Sequence, residues 1–455
     1  MLFSFAAFFP LILLVNAHPS GKKVSHNGPA TGPHTGPNTP PRTLPLQRLP
    51  SRESSPSLSE KQAWLLDQAA VLQHKYAPEL DEEWKKYIGM NEKRDVGTAQ
   101  LTDVDYDGWY LGAVHIGTPP QELLLVLDTG SADLWAAGAA CGSCGNGERF
   151  DPTASSTYQQ TDGTFAITYG SGSVSGNLGT DVIELAGFSL PNISFSIANE
   201  ASNGLISAPV SGIMGLAFQN VSTSKEATWW ETLATSGRWD SPEFGVYMAR
   251  FRGNTNASRV ETDGGSITFG GVDRTKFVGE LNYVSIDSSA RDYWRIPVED
   301  LTVNGNFINI VSRYSPKHQH LANHRQSQPQ AAIDTGTTLI GAPPSAVQAI
   351  FAQIPGSQPL NASIAGNGYW QYPCNATVSV VFQFGGEKYE MSNQDMNLGS
   401  YTSDSSMCTG AFFEQQMSSS SPIQWIVGAS FLKNVYTSFR NDPTAIGFAP
   451  LLNAQ

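Results

Sequence analysis

Two short segments of the chain place an aspartate directly after an apolar stretch and before a Thr-Gly pair. The first is residues 123–135, Leu-Leu-Leu-Val-Leu-Asp-Thr-Gly-Ser-Ala-Asp-Leu-Trp, and the second is residues 331–340, Ala-Ala-Ile-Asp-Thr-Gly-Thr-Thr-Leu-Ile. A carboxylate at the end of a buried strand is costly unless it is hydrogen-bonded or paired. The two copies therefore predict a paired site built on Asp128 and Asp334, suited to acid–base chemistry on a water molecule.

A second pair of motifs indicates that the two segments belong to a duplicated unit. Ile-Met-Gly at 213–215 follows the first aspartate, and Ile-Val-Gly at 426–428 follows the second. The motif glycines are separated by 85 residues in the first copy (Gly130 to Gly215) and by 92 in the second (Gly336 to Gly428). Matched order and near-matched spacing predict two related halves.

The elements that carry these motifs are expected to be strands. After Leu101 the sequence has short alternating apolar segments separated by Gly, Ser, Thr and Asn turns and few long helical patterns, which favours an all-β fold. At 455 residues the chain is too long for one core, and two domains with additional segments are expected.

The chain resembles the pepsin-like aspartic endopeptidases, and the secreted fungal members in particular, over nearly everything after about Thr102. Beside the two aspartate motifs, the matching segments are Tyr-Gly-Ser-Gly at 169–172, Gly-Ser-Ile-Thr-Phe-Gly-Gly at 265–271, Tyr-Trp at 293–294, Trp-Ile-Val-Gly at 425–428 and Ile-Gly-Phe-Ala-Pro at 446–450. The resemblance implies a bilobal pepsin-like fold of two related β-barrel-like lobes, with the active-site cleft between them. It also implies cleavage of polypeptides, with a habitual preference for bulky apolar residues and no cofactor.

The resemblance assigns roles to the residues around the two aspartates. Asp128 and Asp334 would share one proton and activate a water that attacks the scissile carbonyl. The expected supporting residues are Thr129, Gly130, Ser131, Thr335, Gly336 and Thr337.

The hairpin over residues 164–176 would be the flap that covers the substrate. Tyr169 would hydrogen-bond toward Trp135, while Gly170 and Ser171 would offer backbone and hydroxyl groups to the peptide. An exposed tyrosine at an ordinary hairpin tip is the alternative.

The N-terminal part is expected to be removed during maturation. Residues 1–17 read as a signal peptide, and 18–94 as a propeptide with a disordered Pro/Ser-rich leader followed by an inhibitory segment. By resemblance, Lys75 and Tyr76 would form the inhibitory pair in the cleft; a surface lysine at a helix end is the alternative. The lobes are placed at 95–285 and 286–455.

Charge supports this division. Of the 27 Lys and Arg residues 11 precede Asp95, but only 8 of the 40 Asp and Glu do, so the first part carries about +3 and the remainder about −16. Protonation of carboxylates in acid would weaken the attraction between the two parts, which predicts activation by acid.

Four cysteines allow two disulfides in an oxidising compartment. The Cys-Gly-Ser-Cys motif could be redox-active or half of a zinc site, but no second copy exists, so a Cys141–Cys144 disulfide is expected and Cys374–Cys408 follows by elimination. The candidate N-glycosylation sites are Asn192, Asn220, Asn256, Asn361 and Asn375.

The net charge of −13 argues against nucleic-acid or anionic-membrane partners. Without an apolar anchor after the leader, the expected product is a secreted, extracellular monomer that binds only its polypeptide substrates and its own propeptide. His115 is interpreted as structural and no metal is expected. Three histidines (His318, His320 and His324) fall in an insertion over 313–330, where a metal site and a solvated loop are the alternatives.

Two positions depart from the family pattern, because Ala429 and Arg440 stand where acids are common. These changes predict a less extreme acidic pH optimum.

Three other functions are alternatives to a peptidase. A glycosidase also uses two carboxylates but does not require twinned Asp-Thr-Gly turns. A catalytically inactive pepsin-like binding or inhibitor protein is the stronger rival. A structural glycoprotein would leave the duplication unexplained.

Overall fold

The computed structural model describes residues 95–169, 172–287, 290–310, 328–365, 368–418 and 420–452. Within these ranges the chain is built mainly of strands, as the alternating pattern predicts. The strands of the first part are β1 (Gly97–Val104), β2 (Trp109–Ile116), β3 (Gln121–Asp128), β4 (Leu134–Ala137), β5 (Gln159–Tyr169), β6 (Gly172–Leu185), β7 (Phe188–Ala201), β8 (Gly212–Gly215), β9 (Glu243–Met248), β10 (Val260–Phe269) and β11 (Asn282–Ser285).

The second part has shorter strands and most of the helices. Its strands are β12 (Arg295–Pro297), β13 (Asp300–Val303), β14 (Asn306–Phe307), β15 (Gln330–Ile333), β16 (Ile340–Ala342), β17 (Gln358–Pro359), β18 (Tyr369–Pro373), β19 (Val380–Phe384), β20 (Glu387–Met391), β21 (Met407–Glu414), β22 (Trp425–Val427), β23 (Val435–Arg440) and β24 (Ala445–Pro450). The α-helices of the described chain are α1 (Trp229–Thr235), α2 (Pro344–Phe351), α3 (Ala362–Ala365), α4 (Asn393–Met396) and α5 (Ala429–Leu432), and the 3-10 helices are Pro152–Ala154 and Gln219–Val221.

The strands form three sheets. The largest has thirteen strands in the order β11-β24-β23-β9-β10-β1-β2-β3-β8-β4-β7-β6-β5, with an added pairing of β2 and β6 that folds the sheet back on itself. A seven-stranded sheet runs β12-β15-β22-β16-β21-β18-β17, and a four-stranded sheet runs β14-β13-β19-β20. The predicted all-β class is confirmed.

The duplicated motifs form the same strand arrangement twice. In the first copy β3 pairs in parallel with β8, and β8 pairs antiparallel with β4. In the second copy β15 pairs in parallel with β22, and β22 pairs antiparallel with β16. In each copy, the strand with the second motif lies between the two strands that flank the aspartate turn. The spacings of 85 and 92 residues are the lengths of chain that precede this returning strand.

The glycine that ends each returning motif is required by close backbone approach. A Cβ atom on Gly215 would lie 2.4 Å from the carbonyl carbon of Ala132, and one on Gly428 would lie 2.2 Å from the carbonyl oxygen of Thr337. No side chain fits at such distances, so both glycines let the returning strand lie against the loop that follows the aspartate.

Strands from the two ends of the chain share the large sheet. Thr437 of β23 pairs with Val246 of β9, and Phe448 of β24 pairs with Asn282 of β11. The end of the sequence therefore completes a sheet whose other strands precede residue 286. The lobe boundary between residues 285 and 286 stays a prediction. Strand pairing across such a long sequence separation cannot be inferred from the local sequence.

A tryptophan-rich part of the core supports the chain directly after Gly215, the last residue of β8. The indole Nε1 of Trp230 donates to the carbonyl of Ala217 (2.8 Å), and that of Trp294 donates to the carbonyl of Leu216 (2.8 Å). Both indoles are fully buried and belong to the main hydrophobic core. Replacing either by alanine would cost about 3–5 kcal/mol of unfolding free energy.

A buried ion cluster joins the β1–β2 turn to the short helices near the chain end. The Lys433 ammonium lies 2.5 Å from an Asp107 oxygen and 2.7 Å from an Asp395 oxygen, and the Arg250 guanidinium lies 2.6 Å from Asp395. Asp103 is buried beside them and accepts hydrogen bonds from the Asp107 amide. These groups have no place in the predicted catalytic site.

Both predicted disulfides are present. Cys141 and Cys144 are bonded with their Cα atoms 5.5 Å apart, and Cys374 and Cys408 with theirs 4.9 Å apart. The second bond ties the end of β18 to the start of β21 across 34 residues. No helix in the described part of the chain is both long and apolar enough to cross a membrane.

Candidate active site

The two aspartates lie at equivalent ends of the two duplicated strands. Asp128 is the last residue of β3, and Asp334 directly follows β15. Their relative exposures are 0% and 1%. Each apolar strand places its aspartate in the interior, where the carboxyl group depends on protein hydrogen bonds.

Reciprocal hydrogen bonds from two threonines join the loops. The Thr129 hydroxyl donates to the carbonyl of Ile333 (2.7 Å) and accepts from the Thr335 amide (3.0 Å). In return the Thr335 hydroxyl donates to the carbonyl of Leu127 (2.6 Å) and accepts from the Thr129 amide (3.0 Å). Four bonds between residues more than 200 positions apart hold the two aspartates in register.

Each carboxyl group receives the same two kinds of donor. The Gly130 amide donates to Asp128 Oδ1 (2.8 Å), and the Ser131 hydroxyl donates to Asp128 Oδ2. Both donors come from the residues that follow the aspartate in the same turn. They fix the plane of the carboxyl group and stabilise its ionised form.

The second loop repeats this arrangement. The Gly336 amide donates to Asp334 Oδ1 (2.8 Å), and the Thr337 hydroxyl donates to Asp334 Oδ2 (2.8 Å). The six predicted supporting residues therefore all contact an aspartate or the opposite loop.

The two carboxyl groups lie close together, because the Asp334 carboxyl group approaches Gly130, whose amide donates to Asp128. Each aspartate also influences the pKa of the other. A Cβ atom on Gly130 would lie 2.4 Å from Asp334 Oδ2, so glycine is needed there for the second carboxyl group to approach the first loop. The predicted pairing of Asp128 with Asp334 is thus present in the structure.

Burial is the main cause that raises the pKa of both aspartates. The pKa of Asp334 is raised well above its ordinary value, because the negative charge of Asp128 and the hydrogen bond to it add to the effect of burial. For Asp128 the bonds from Ser131, Asp334 and Gly130 act in the opposite direction. The pair therefore retains one proton at pH values where isolated aspartates have lost theirs.

The hairpin of β5 and β6 brings Tyr169 to the loop of the first aspartate. The Trp135 indole donates to the Tyr169 hydroxyl over 2.7 Å, and Tyr169 is only 3% exposed. Burial raises the pKa of Tyr169 well above its ordinary value, so its hydroxyl stays protonated. Gly170 and Ser171, predicted to contact the substrate, lie outside the described residues.

Tyr293 lies beside the second aspartate strand and is not among the predicted site residues. The next residue, Trp294, accepts from the Ile333 amide through its carbonyl (2.8 Å). Burial raises the pKa of Tyr293 to about 12, and the charges of Asp292, Asp128 and Asp334 add to this effect. The Tyr-Trp pair at 293–294 was recognised only as a matching motif. Its position directly before the short strand β12, which pairs with β15, is the signal that could have revealed it.

The other predicted positions are distributed over the surface and outside the site. The His115 imidazole lies 3.3 Å from Glu122 in a partly exposed pair. In the described ranges, no group of three or more His, Cys, Asp or Glu side chains is arranged to hold a metal ion. The glycosylation candidates Asn192, Asn220, Asn256, Asn361 and Asn375 are all exposed.

Several predictions concern residues outside the described ranges, among them Lys75, Tyr76, the signal segment and residues 311–327 of the insertion. Of the two departures from the family pattern, Ala429 is buried at the start of α5, and the Arg440 guanidinium lies 3.8 Å from the centre of the Tyr283 ring. Neither position supplies a carboxylate.

Comparison with known proteins gives consistent matches over this region. A profile of the family described as eukaryotic aspartyl protease matches residues 109–451. The chain is 49% identical over 424 residues to Major aspartyl peptidase 1 of Cryptococcus neoformans var. grubii serotype A, which covers 90% of this chain and 85% of that protein. It is 32% identical over 348 residues to pepsin A of Rhinolophus ferrumequinum (75% and 81% covered) and 32% identical over 351 residues to pepsin A of Bos taurus (76% and 85% covered).

Proposed function

The chain belongs to the eukaryotic aspartyl protease family and is a pepsin-like aspartic endopeptidase, and we propose that Asp128 and Asp334 are its catalytic residues. The observation that carries the proposal is the approach of the buried Asp334 carboxyl group to the turn that holds the buried Asp128, each carboxyl group being held by an amide and a hydroxyl from its own turn. Such a pair cannot ionise fully, so it can accept and donate a proton in the same step.

The two carboxyl groups share one proton, because burial raises the pKa of both and a charge on one disfavours a charge on the other. The ionised member of the pair takes a proton from water as the water oxygen bonds to the scissile carbonyl carbon, while the protonated member gives its proton to the carbonyl oxygen. The first carboxyl group then returns its proton to the leaving nitrogen as the C–N bond breaks, and the second recovers its proton from the intermediate hydroxyl. No residue becomes covalently attached.

The supporting residues act before and during this step. Thr129 and Thr335 hold the loops in register, and Gly130 and Gly336 direct their amides at the carboxyl groups. Ser131 and Thr337 stabilise the outer oxygens. Tyr169, positioned by Trp135, would cover the bound peptide together with Gly170 and Ser171.

The pH dependence follows from the shared proton. Activity falls as pH drops through the lower pKa of the pair, because both carboxyl groups are then protonated and neither can accept a proton from water. It falls again as pH rises through the upper pKa, because neither group then has a proton to donate. Because burial raises the pKa of both groups, the active range extends above the ordinary pKa of an aspartate.

The biological setting is part of the proposal. The enzyme is secreted after removal of residues 1–17, and it is held inactive by residues 18–94, with Lys75 and Tyr76 in the cleft until acid weakens their attachment. Its substrates are polypeptides, and it works as a monomer, with lobes at 95–285 and 286–455. The signal-like leader and the charge contrast of about +3 against −16 support this interpretation.

The test is cleavage of a denatured protein substrate by the proform after incubation near pH 4. Wild type is expected to lose its prosegment and to cleave, whereas Asp128→Asn and Asp334→Asn lower kcat/KM by at least about 10³-fold. Asp181→Asn, which alters a buried acid bonded to Ser155 and Thr157, is the matched control and should retain activity. A folded wild type that is inactive from acid to neutral pH would instead indicate a binding or inhibitor protein.

A further inference from the structure

The loop closed by the Cys141–Cys144 disulfide packs beneath the β5–β6 hairpin. Both cysteines are buried in a hydrophobic cluster that is separate from the main core and contains Trp135, Tyr169 and Ile213. The same cluster includes Phe165, Ile167 and Val174 from the two hairpin strands. The disulfide therefore shares its packing with the residue that the hairpin brings to the first aspartate loop.

A chain of hydrogen bonds continues from this loop to the hairpin. The Ser143 hydroxyl, between the two cysteines, accepts from the amide of Ala201, the last residue of β7 (3.0 Å). The adjacent Ser202 accepts from the Ser173 amide through its hydroxyl (2.9 Å) and donates its own amide to the Ser173 carbonyl (2.8 Å). Ser173 pairs with Thr168, one residue from Tyr169. Three steps thus join Ser143 to the residues beside Tyr169.

The loop is itself rigid enough to act as a fixed support. The disulfide spans only three residues. One guanidinium nitrogen of Arg149 donates to the carbonyl of Cys141, and the other donates to the carbonyl of Gly145 over 2.6 Å. The disulfide and the two hydrogen bonds from Arg149 constrain the same short segment. The Ser143 hydroxyl is therefore held in one position.

We propose that the Cys141–Cys144 loop is a positioning element for substrate binding, and that Ser143 is the residue through which it holds the β5–β6 hairpin over the cleft. The inference rests on the proposed function, since the hairpin matters for affinity only if a peptide binds beneath it. The Ser143 hydroxyl contacts the Ala201 amide and the Cys141 sulfur (3.8 Å), both outside the aspartate loops, so it acts on binding and not on the proton transfers. Loss of the support leaves more hairpin conformations to be ordered when substrate binds, which weakens binding.

The test separates substrate binding from chemistry. Ser143→Ala is expected to raise KM about threefold to tenfold, the effect of losing one hydrogen bond, with kcat changed less than about twofold. Ser143→Thr keeps the hydroxyl and should restore the wild-type KM. The Cys141→Ala/Cys144→Ala variant should raise KM at least as much as Ser143→Ala.

The second disulfide provides a matched control. Cys374→Ala/Cys408→Ala removes a disulfide far from the hairpin in sequence, and it should lower the Tm while leaving KM unchanged. Hydrogen exchange of peptides covering residues 159–185 should be faster in Ser143→Ala and in the Cys141/Cys144 variant, and unchanged in the control. These exchange rates can be measured whether or not the protein cleaves substrate.

The outcomes separate the two proposals. An inactive wild type would overturn the proposed function. An active wild type whose KM and hairpin exchange are unaffected by Ser143→Ala and by Cys141→Ala/Cys144→Ala would overturn only the role of the loop. The same holds if the Cys374/Cys408 variant raises KM as much as the Cys141/Cys144 variant, because the effect would then be one of general stability.

Discussion

The two aspartate loops are alike in chemistry and differ in what they are attached to. Each receives one glycine amide, one hydroxyl and one reciprocal threonine. Beyond the turn the first loop continues to Trp135, which bonds Tyr169 of the hairpin. The second continues to Thr338, whose hydroxyl donates to the carbonyl of Gly108 (2.8 Å). We therefore expect the duplicated part to carry out the proposed proton transfers, and the part that differs to hold the substrate from one side.

The comparison also has an electrostatic side. The hydrogen bonds to the two carboxyl groups are nearly the same, and burial raises the pKa of both. Because a charge on one carboxyl group disfavours a charge on the other, a symmetric set of donors still gives the pair two different proton affinities. Near symmetry with one shared proton is what the acid and base roles require.

The largest effect is expected where the loops approach most closely. Gly130→Ala places a methyl group within the space of the Asp334 carboxyl and should lower kcat/KM about 100-fold, because the carboxyl groups must separate. Gly271→Ala is the control, since a Cβ there would meet only Val96, at 3.4 Å or more, and the residue lies outside the aspartate loops and the Cys141–Cys144 loop. A Gly130→Ala enzyme with normal kcat/KM would mean that contact between the carboxyl groups is not needed.

The reciprocal threonines allow a direct test of equivalence. Thr129→Val and Thr335→Val each remove two buried hydrogen bonds, so both should lower the unfolding free energy by a similar amount, about 2 kcal/mol. Denaturant unfolding at acidic pH measures this. Thr→Ser at either position keeps the hydroxyl and should lose less. Unequal losses of unfolding free energy for the two valine variants would show that the two loops do not contribute equally to stability.

A third buried acid outside the loops should respond to pH in another way. Burial raises the pKa of Asp103 to about 7, with the charge of Asp107 adding to it, while the Asp107 amide and the cations Lys433 and Arg252 oppose the shift. The folded protein thus binds more protons than the unfolded chain between pH 4 and 7. Stability from this group is complete below its ordinary pKa and is lost as pH rises through 7.

Asp103→Asn should therefore raise the unfolding free energy at pH 8 by about 1–2 kcal/mol and change it little at pH 4. The surrounding groups are Asp107, Tyr110, Arg250, Arg252, Glu261, Asp395 and Lys433. Thermal unfolding across pH 4–8 measures the difference. Asp105→Asn, in the turn directly after β1 and paired at the surface with Arg259, is the control for removing a neighbouring carboxylate charge. Parallel curves for wild type and Asp103→Asn would contradict this account.

The smallest effect should come from making the two outer hydroxyls alike. Thr337→Ser gives the second loop the hydroxyl type of Ser131, and kcat/KM should stay within about threefold of wild type. Thr337→Val keeps the shape without the donor and should lose about tenfold. A larger loss for Thr337→Ser than for Thr337→Val would show that the methyl group, and not the hydrogen bond, is what the site requires.

The sequence could predict features that repeat or have a local signature. The twinned turns predicted the Asp128–Asp334 pair, and alternation with frequent turns predicted the all-β class. Two disulfides followed from only four cysteines. The flap contacts of Gly170 and Ser171, the processing of residues 1–94 and the lobe boundary stay predictions.

What could not be predicted depends on contacts distant in sequence. Asp103 and Asp105 have similar local surroundings in sequence, yet one is buried and the other is paired at the surface. Similarly, Ser143 reads as a loop residue until Ala201 is seen beside it. Contacts between residues distant in sequence determine which of these side chains are buried. Such contacts cannot be inferred from the local pattern of a single sequence.

The sharing of the large sheet by distant strands has a consequence for biosynthesis. Strand β9 pairs with β23, and Val246 meets Thr437 only after nearly 200 further residues have been made. During synthesis the edge of the sheet at β9 therefore stays unpaired until β23 has been made. The second aspartate loop is also synthesised before this edge is covered. Folding of the first half during translation cannot be completed ahead of the second, so chain closure and assembly of the aspartate pair come late and together.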